Sequence, residues 1–70
     1  MTREELGNIL ASLRKGKGYT IRELADRCEL NKATIVNIEQ GRFSPKFESV
    51  VSIINKLDAT IEIKAKRSAE

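Results

Sequence analysis

Histidine and tryptophan are absent from this 70-residue chain, and cysteine and proline occur once each. A single cysteine excludes an internal disulfide framework, and without histidine there is no ordinary zinc constellation. The same lack removes the commonest general base, so no metal, no cofactor and no catalysis are expected. No apolar run approaches the roughly 20 residues that span a bilayer, and the opening "MTREELGNIL" has no basic segment followed by an apolar one. Membrane insertion and export are not expected, and a reducing cytoplasm fits best. Aromatic residues are few, one Tyr and two Phe, too few for the stacking platforms of single-strand binders. Tyr19 and the phenylalanines are therefore read as packing residues, and Cys28 as a buried structural thiol. Seventy residues allow one domain with one small core. The net charge of +3 permits nucleic acid as a partner without requiring it.

What the chain does have is punctuation. Thr2 with Glu5 and Thr20 with Glu23 are two capping boxes. Leu6, Ile9, Leu10 and Leu13 follow the first at helical spacing, and Ile21, Leu24, Ala25 and Cys28 follow the second. The first helix should stop at "GKG", Gly16 to Gly18, and the second near Cys28. Asn31 can cap a third helix that ends at Gly41, the residue that enters the left-handed region at least cost. After Pro45, with Lys46 a weak cap, Phe47, Val50, Val51, Ile54 and Leu57 mark a fourth amphipathic helix. In "ATIEIKAK" the period changes to two: Ile61, Ile63 and Ala65 alternate with Thr60, Glu62, Lys64 and Lys66, which is strand spacing.

The third helix raises the functional question. Stepping about 100° per residue puts Thr34, Ile35, Ile38 and Glu39 on one side and Lys32, Ala33, Val36, Asn37 and Gln40 on the other. The second face is small, hydrogen-bonding and basic, poor core material but suited to base-pair edges. Helix two, a turn at "CEL" and helix three together form a helix-turn-helix, whose second helix enters the DNA major groove.

The segment "LRKGKGYTIRELADRCELNKATIVNIEQGRFSP" resembles the lambda-repressor and Cro type of helix-turn-helix, also called the xenobiotic-response-element family. The resemblance runs from about Leu6 to Leu57 and rests on Arg14, Thr20, "ELA" at Glu23 to Ala25, Asn31, Ile35 and "IEQG" at Ile38 to Gly41. Two positions depart from the pattern. Glu29 stands where a turn glycine is usual, at a cost of about 1 kcal/mol if left-handed. Ile21 stands where a phosphate-binding glutamine is usual, and its place in the apolar stripe suggests packing.

The resemblance implies a mainly α, four-helix domain over residues 1–58; the alternating segment adds an expected dimerisation strand over 59–67, because a lone strand needs a partner, and a disordered tail is expected over 68–70. It puts Lys32, Ala33, Val36 and Asn37 at the base-reading positions. Lysine donates to guanine, asparagine pairs bidentately with adenine, and Ala33 or Val36 can meet a thymine methyl. Thr20, Arg22, Thr34, Arg42, Ser44 and Lys46 are expected to bind phosphates. Lys15 and Lys17, in the basic stretch "RKGKGYTIR", are also placed near phosphates, and for Lys15, Lys17 and Lys46 solvated surface is an equally good reading. The resemblance pairs Arg14 with Glu39 in a partly buried structural ion pair. The expected function is a double-stranded DNA-binding transcriptional regulator, a repressor, occupying an inverted-repeat operator as a homodimer. Its strands would pair across a two-fold through Ile61 and Ile63, with Glu62 opposite Lys64. The alternative is a Hip-type antitoxin that binds a toxin protein and regulates its own operon, prompted by a strand that directly follows helix four.

Overall fold

The computed structural model describes residues 1–42 and 44–62. Four helices succeed one another: α1 (Arg3–Gly16), α2 (Ile21–Cys28), α3 (Lys32–Glu39) and α4 (Phe47–Lys56). Both capping boxes are formed. The Thr2 and Thr20 hydroxyls accept from the Glu5 and Glu23 amides at 3.0 Å, and the two carboxylates accept in return from the Thr2 and Thr20 amides at 2.7 Å. Asn31 and Lys46 precede α3 and α4 without a side-chain cap, so Asn31 marks the start of its helix by position and not by the hydrogen bond expected of it.

The four helix ends share one device. In each, one residue in the left-handed region turns the chain, and two backbone bonds reach back over it to satisfy carbonyls of the last turn. At α1 the turning residue is Gly18, with Tyr19 N–H donating to Arg14 and Gly18 N–H to Lys15. At α2 it is Glu29, φ 56°, with Leu30 N–H on Ala25 and Glu29 N–H on Asp26. At α3 it is Gly41, with Arg42 N–H on Asn37 and Gly41 N–H on Ile38, and at α4 it is Asp58, φ 55°. The strain expected at Glu29 is present, and Asp58 carries the same strain unforeseen.

Leu10, Leu24, Ile35 and Ile53, one from each helix, form the fully buried centre. Cys28 is buried, its thiol pushed up in pKa by desolvation, and Tyr19 and Ile21 pack on the core from its edge, as expected. α3 packs on both α1 and α2, and α2 on α4. The apolar stripes expected of α1 and α4 are only partly buried. Ile9 and Leu13 are exposed at 46% and 37%, and Phe47 at 73%, whereas Ile53, outside the expected stripe, is in the core. On α1 the buried positions are Gly7, Leu10 and Arg14. Gly7 lets the α3 backbone lie directly on α1: a Cβ there would stand 2.5 Å from the Glu39 carbonyl oxygen.

Among the described residues there is no strand. Ala59 to Glu62 form no regular element, Ile61 is 48% exposed, and the remainder of the expected strand, Ile63 included, lies outside the described residues, as does Phe43. No described helix is long and apolar enough to cross a membrane.

The capping boxes give the fold a defined response to acid. Hydrogen bonds from the Thr2 and Thr20 backbones, then from their hydroxyls, hold the Glu5 and Glu23 carboxyls below their ordinary value of 4.5. A depressed carboxyl stabilises the fold above the unfolded value and loses that contribution as pH falls through the folded one. The thermal midpoint should therefore fall on titration from about pH 6 to about pH 3, and fall less steeply in Thr20→Ala. Identical slopes for the two proteins would remove Glu23 from the acid response.

Candidate nucleic-acid interface

α3 spans two turns and is held from behind. Arg14, buried on α1, donates from Nε to one Glu39 carboxylate oxygen at 2.7 Å and from its terminal nitrogen to the other at 3.1 Å. Its remaining arm donates to the Tyr19 carbonyl oxygen at 2.8 Å. Both side chains of the pair are 10% exposed. One guanidinium thus ties the end of α3 to the loop that leads into Thr20 and α2, and the ion pair that the family resemblance implied is bidentate.

With Ile35 and Ile38 turned into the core, the other side of α3 faces outward. Lys32 and Ala33 are exposed at its start, and Val36 and Asn37 are half-buried further along, so the four expected reading positions form one surface. Gln40, exposed just past the end of α3, extends that surface. It lies on the outward side of the wheel, although it is not one of the four expected reading positions.

The expected phosphate ligands separate into two groups. Thr34, Ser44 and Lys46 line one groove between α3 and the start of α4, together with Ser49, which sequence reasoning missed. Ser49 stands three residues after Lys46 in the first turn of α4, a place that carries no signal of its own in the sequence. Arg42, just after Gly41, is exposed and is not part of the groove's lining. Thr20 and Arg22 stand apart at the start of α2, both exposed. The Thr20 amide is taken by Glu23, while its hydroxyl, which accepts from the Glu23 amide, keeps its own proton to donate. Ile21 packs against the core and makes no replacement for the missing glutamine.

The basic loop "RKGKGYTIR" is less available than its composition suggests. Arg14 is spent on Glu39, and Lys17 is turned to Asp58, whose carboxyl it holds below its usual range. Arg27, on α2, lies over the Tyr19 ring at 4.4 Å from its centroid, a cation–π contact. Among the described residues no cluster of Cys, Asp or Glu could hold a metal ion.

A short α2, a tight left-handed turn and an α3 with one face free define a helix-turn-helix domain. The helix-turn-helix family model matches residues 10–64, and the chain belongs to that family, of the lambda-repressor and Cro type that the sequence resembles. The chain is 29% identical over 63 residues to the transcriptional regulator ClgR of Mycobacterium tuberculosis H37Rv, a match covering 90% of this chain and 56% of that protein. It therefore spans little more than half the length of that relative. Two crystal structures of the clp gene regulator ClgR from Corynebacterium glutamicum are similar to it. They share 35% and 34% identity at TM-scores of 0.81 and 0.82, over 86% and 87% of this chain and 64% and 78% of those chains.

Proposed function

We propose that this chain is the sequence-reading part of a transcriptional regulator, inserting α3 into the major groove of duplex DNA and occupying an inverted-repeat operator as a homodimer. The observation that carries the reading is the outward face of α3, where the donors Lys32 and Asn37 flank the small apolar Ala33 and Val36, on a helix clamped from behind by Arg14 and Glu39. The groove of Thr34, Ser44, Lys46 and Ser49 beside α3, and Thr20 and Arg22 at the start of α2, supply donors for phosphates on the two flanks. Likeness to the ClgR regulators supports the same reading. The segment 59–67 is proposed as the pairing strand, with Ile61 and Ile63 on one side of it.

Selection from a random duplex pool tests this directly. The expected result is enrichment of an inverted repeat with half-site centres about one helical turn, roughly 34 Å, apart. A pool with no enrichment after repeated rounds would sink the proposal. On the selected site, Asn37→Ala should cost about 1–3 kcal/mol and relax discrimination while leaving non-specific binding nearly unchanged. Arg42→Ala should weaken all sequences alike and make the salt slope shallower by about one unit. An equal loss on every sequence for Asn37→Ala would reassign Asn37 to the backbone.

A further inference from the structure

We infer that the outward face of α1, with Ile61 lying along it, seats a second copy of this chain. The inference rests on the two-fold reading above and names the surface that carries the two-fold. It begins from an offset on α1. At about 100° per residue, the apolar residues Leu6, Ile9, Leu10 and Leu13 centre about 80° away from the buried residues Gly7, Leu10 and Arg14. The burial of α1 follows its contact with α3, and its hydrophobicity does not. Ile9 and Leu13 are left outside as the visible part of that mismatch.

These two side chains do not stand alone. With Leu6, Ile54, Ala59 and Ile61 they line one groove between α1 and the chain that leaves α4. Its volume is about 260 Å³, below the roughly 300–1,000 Å³ of small-molecule sites, and its rim is open along Ile9 and Leu13. An apolar face of this kind on a small soluble chain marks a protein contact more often than a ligand cavity.

Three observations make the occupant a second copy. Asn8 to Leu13, "NILASL", carries no charge in a chain that is 33% charged. A two-fold contact brings every group near its own image, so this uncharged stretch of α1 meets itself without repulsion, with Glu62 at the groove's end the one carboxylate among its described lining residues. Next, Ile61 belongs both to this groove and to the alternating segment proposed to pair between copies, which makes the two a single continuous surface. Last, Gly7 and Arg14 face α3, and Ile9 and Leu13 lie about 160° and 120° round the helix from Gly7. A copy seated there leaves the reading face of α3 open.

Sedimentation equilibrium of the full chain and of Ile9→Glu, with DNA binding to the selected inverted repeat and to a single half-site, tests the inference. Ile9 is exposed, so the variant should keep its circular dichroism, with a thermal midpoint lowered only by the stabilisation that dimerisation adds to wild type. Wild type should sediment as a dimer and Ile9→Glu as a monomer. The variant's affinity for the full repeat should fall about 100-fold or more, toward its unchanged half-site affinity. Leu13→Gln, which adds no charge, should also weaken the dimer, and Ile9→Leu should retain it. A monomeric wild type, whose groove would then be covered by its own residues 63–70 or by another protein, overturns the inference. So does an Ile9→Glu protein that remains dimeric. In that last case full operator binding would leave the proposed function standing. A dimer that Ile9→Glu dissociates but that binds no duplex would instead uphold the surface and defeat the DNA reading.

Discussion

Glu39→Ala should lower the unfolding free energy by about 3 kcal/mol or more, because it leaves the Arg14 guanidinium nearly buried with only the Tyr19 carbonyl to bond. Domains of this size are stable by roughly 0.05–0.15 kcal/mol per residue, so the loss would take a large share of the total. Chemical denaturation of the two single variants and of the Arg14→Ala, Glu39→Ala double variant separates the pair from its parts. The double variant should be destabilised by clearly less than the sum of the singles. Additivity within about 0.5 kcal/mol would mean that the 2.7 and 3.1 Å bonds contribute nothing jointly. The functional corollary is that Glu39→Gln, isosteric but uncharged, should keep the fold better than alanine and still loosen α3 relative to the loop before α2.

Gly7→Ala is the second change with a large expected effect. Its new methyl would meet the carbonyl oxygens of Ile38 and Glu39, and these belong to a helix backbone that cannot step aside as a side chain can. Overpacking of this kind costs about 1–3 kcal/mol and more where backbone must move, so a loss of at least about 3 kcal/mol is expected. Gly16→Ala, on the same helix with nothing within 4 Å of the added atom, is the matched control. It should stabilise the protein by about 0.4–1 kcal/mol through the unfolded chain. If Gly7→Ala gains stability as Gly16→Ala does, the α1–α3 backbone contact does not govern Gly7.

These two sites show where sequence reasoning reaches and where it stops. The capping boxes, Gly41 and the two turns of α3 were legible because each is settled by residues within a few positions of one another, whereas the left-handed Glu29 was legible through the family's turn glycine. The Arg14–Glu39 pair, 25 residues apart, was legible only through family resemblance. Which part of an apolar stripe is buried was not legible at all. On α4 the expected stripe and the buried one differ by about 45°, with Phe47 outside and Ile53 inside, since that angle is set by where α2 lies and no local rule contains it. Gly7 was passed over because a missing side chain has no place in a hydrophobic pattern, although its absence brings α3 against α1. At the interface, residue types on α3 carried the reading face, and Ser49 escaped because a serine in a helix's first turn has no distinguishing pattern until α3 is placed beside it.

The brevity of α3 has a consequence for information. Its eight residues, Lys32–Glu39, rise about 12 Å from end to end. Base pairs stack at about 3.4 Å, so on the proposed reading one copy inspects three or four of them. Four fully discriminated base pairs recur by chance about once in every 256, against roughly 10⁶–10⁹ competing sites in a genome. Two copies reading eight base pairs reduce chance matches to about one in 65,000, and a fixed half-site spacing excludes every pair of half-sites at another separation. Lengthening α3 past Gly41 would add little, because a straight helix leaves the curving groove within a few turns. On the proposed reading, added selectivity comes from a second reader held at a set distance.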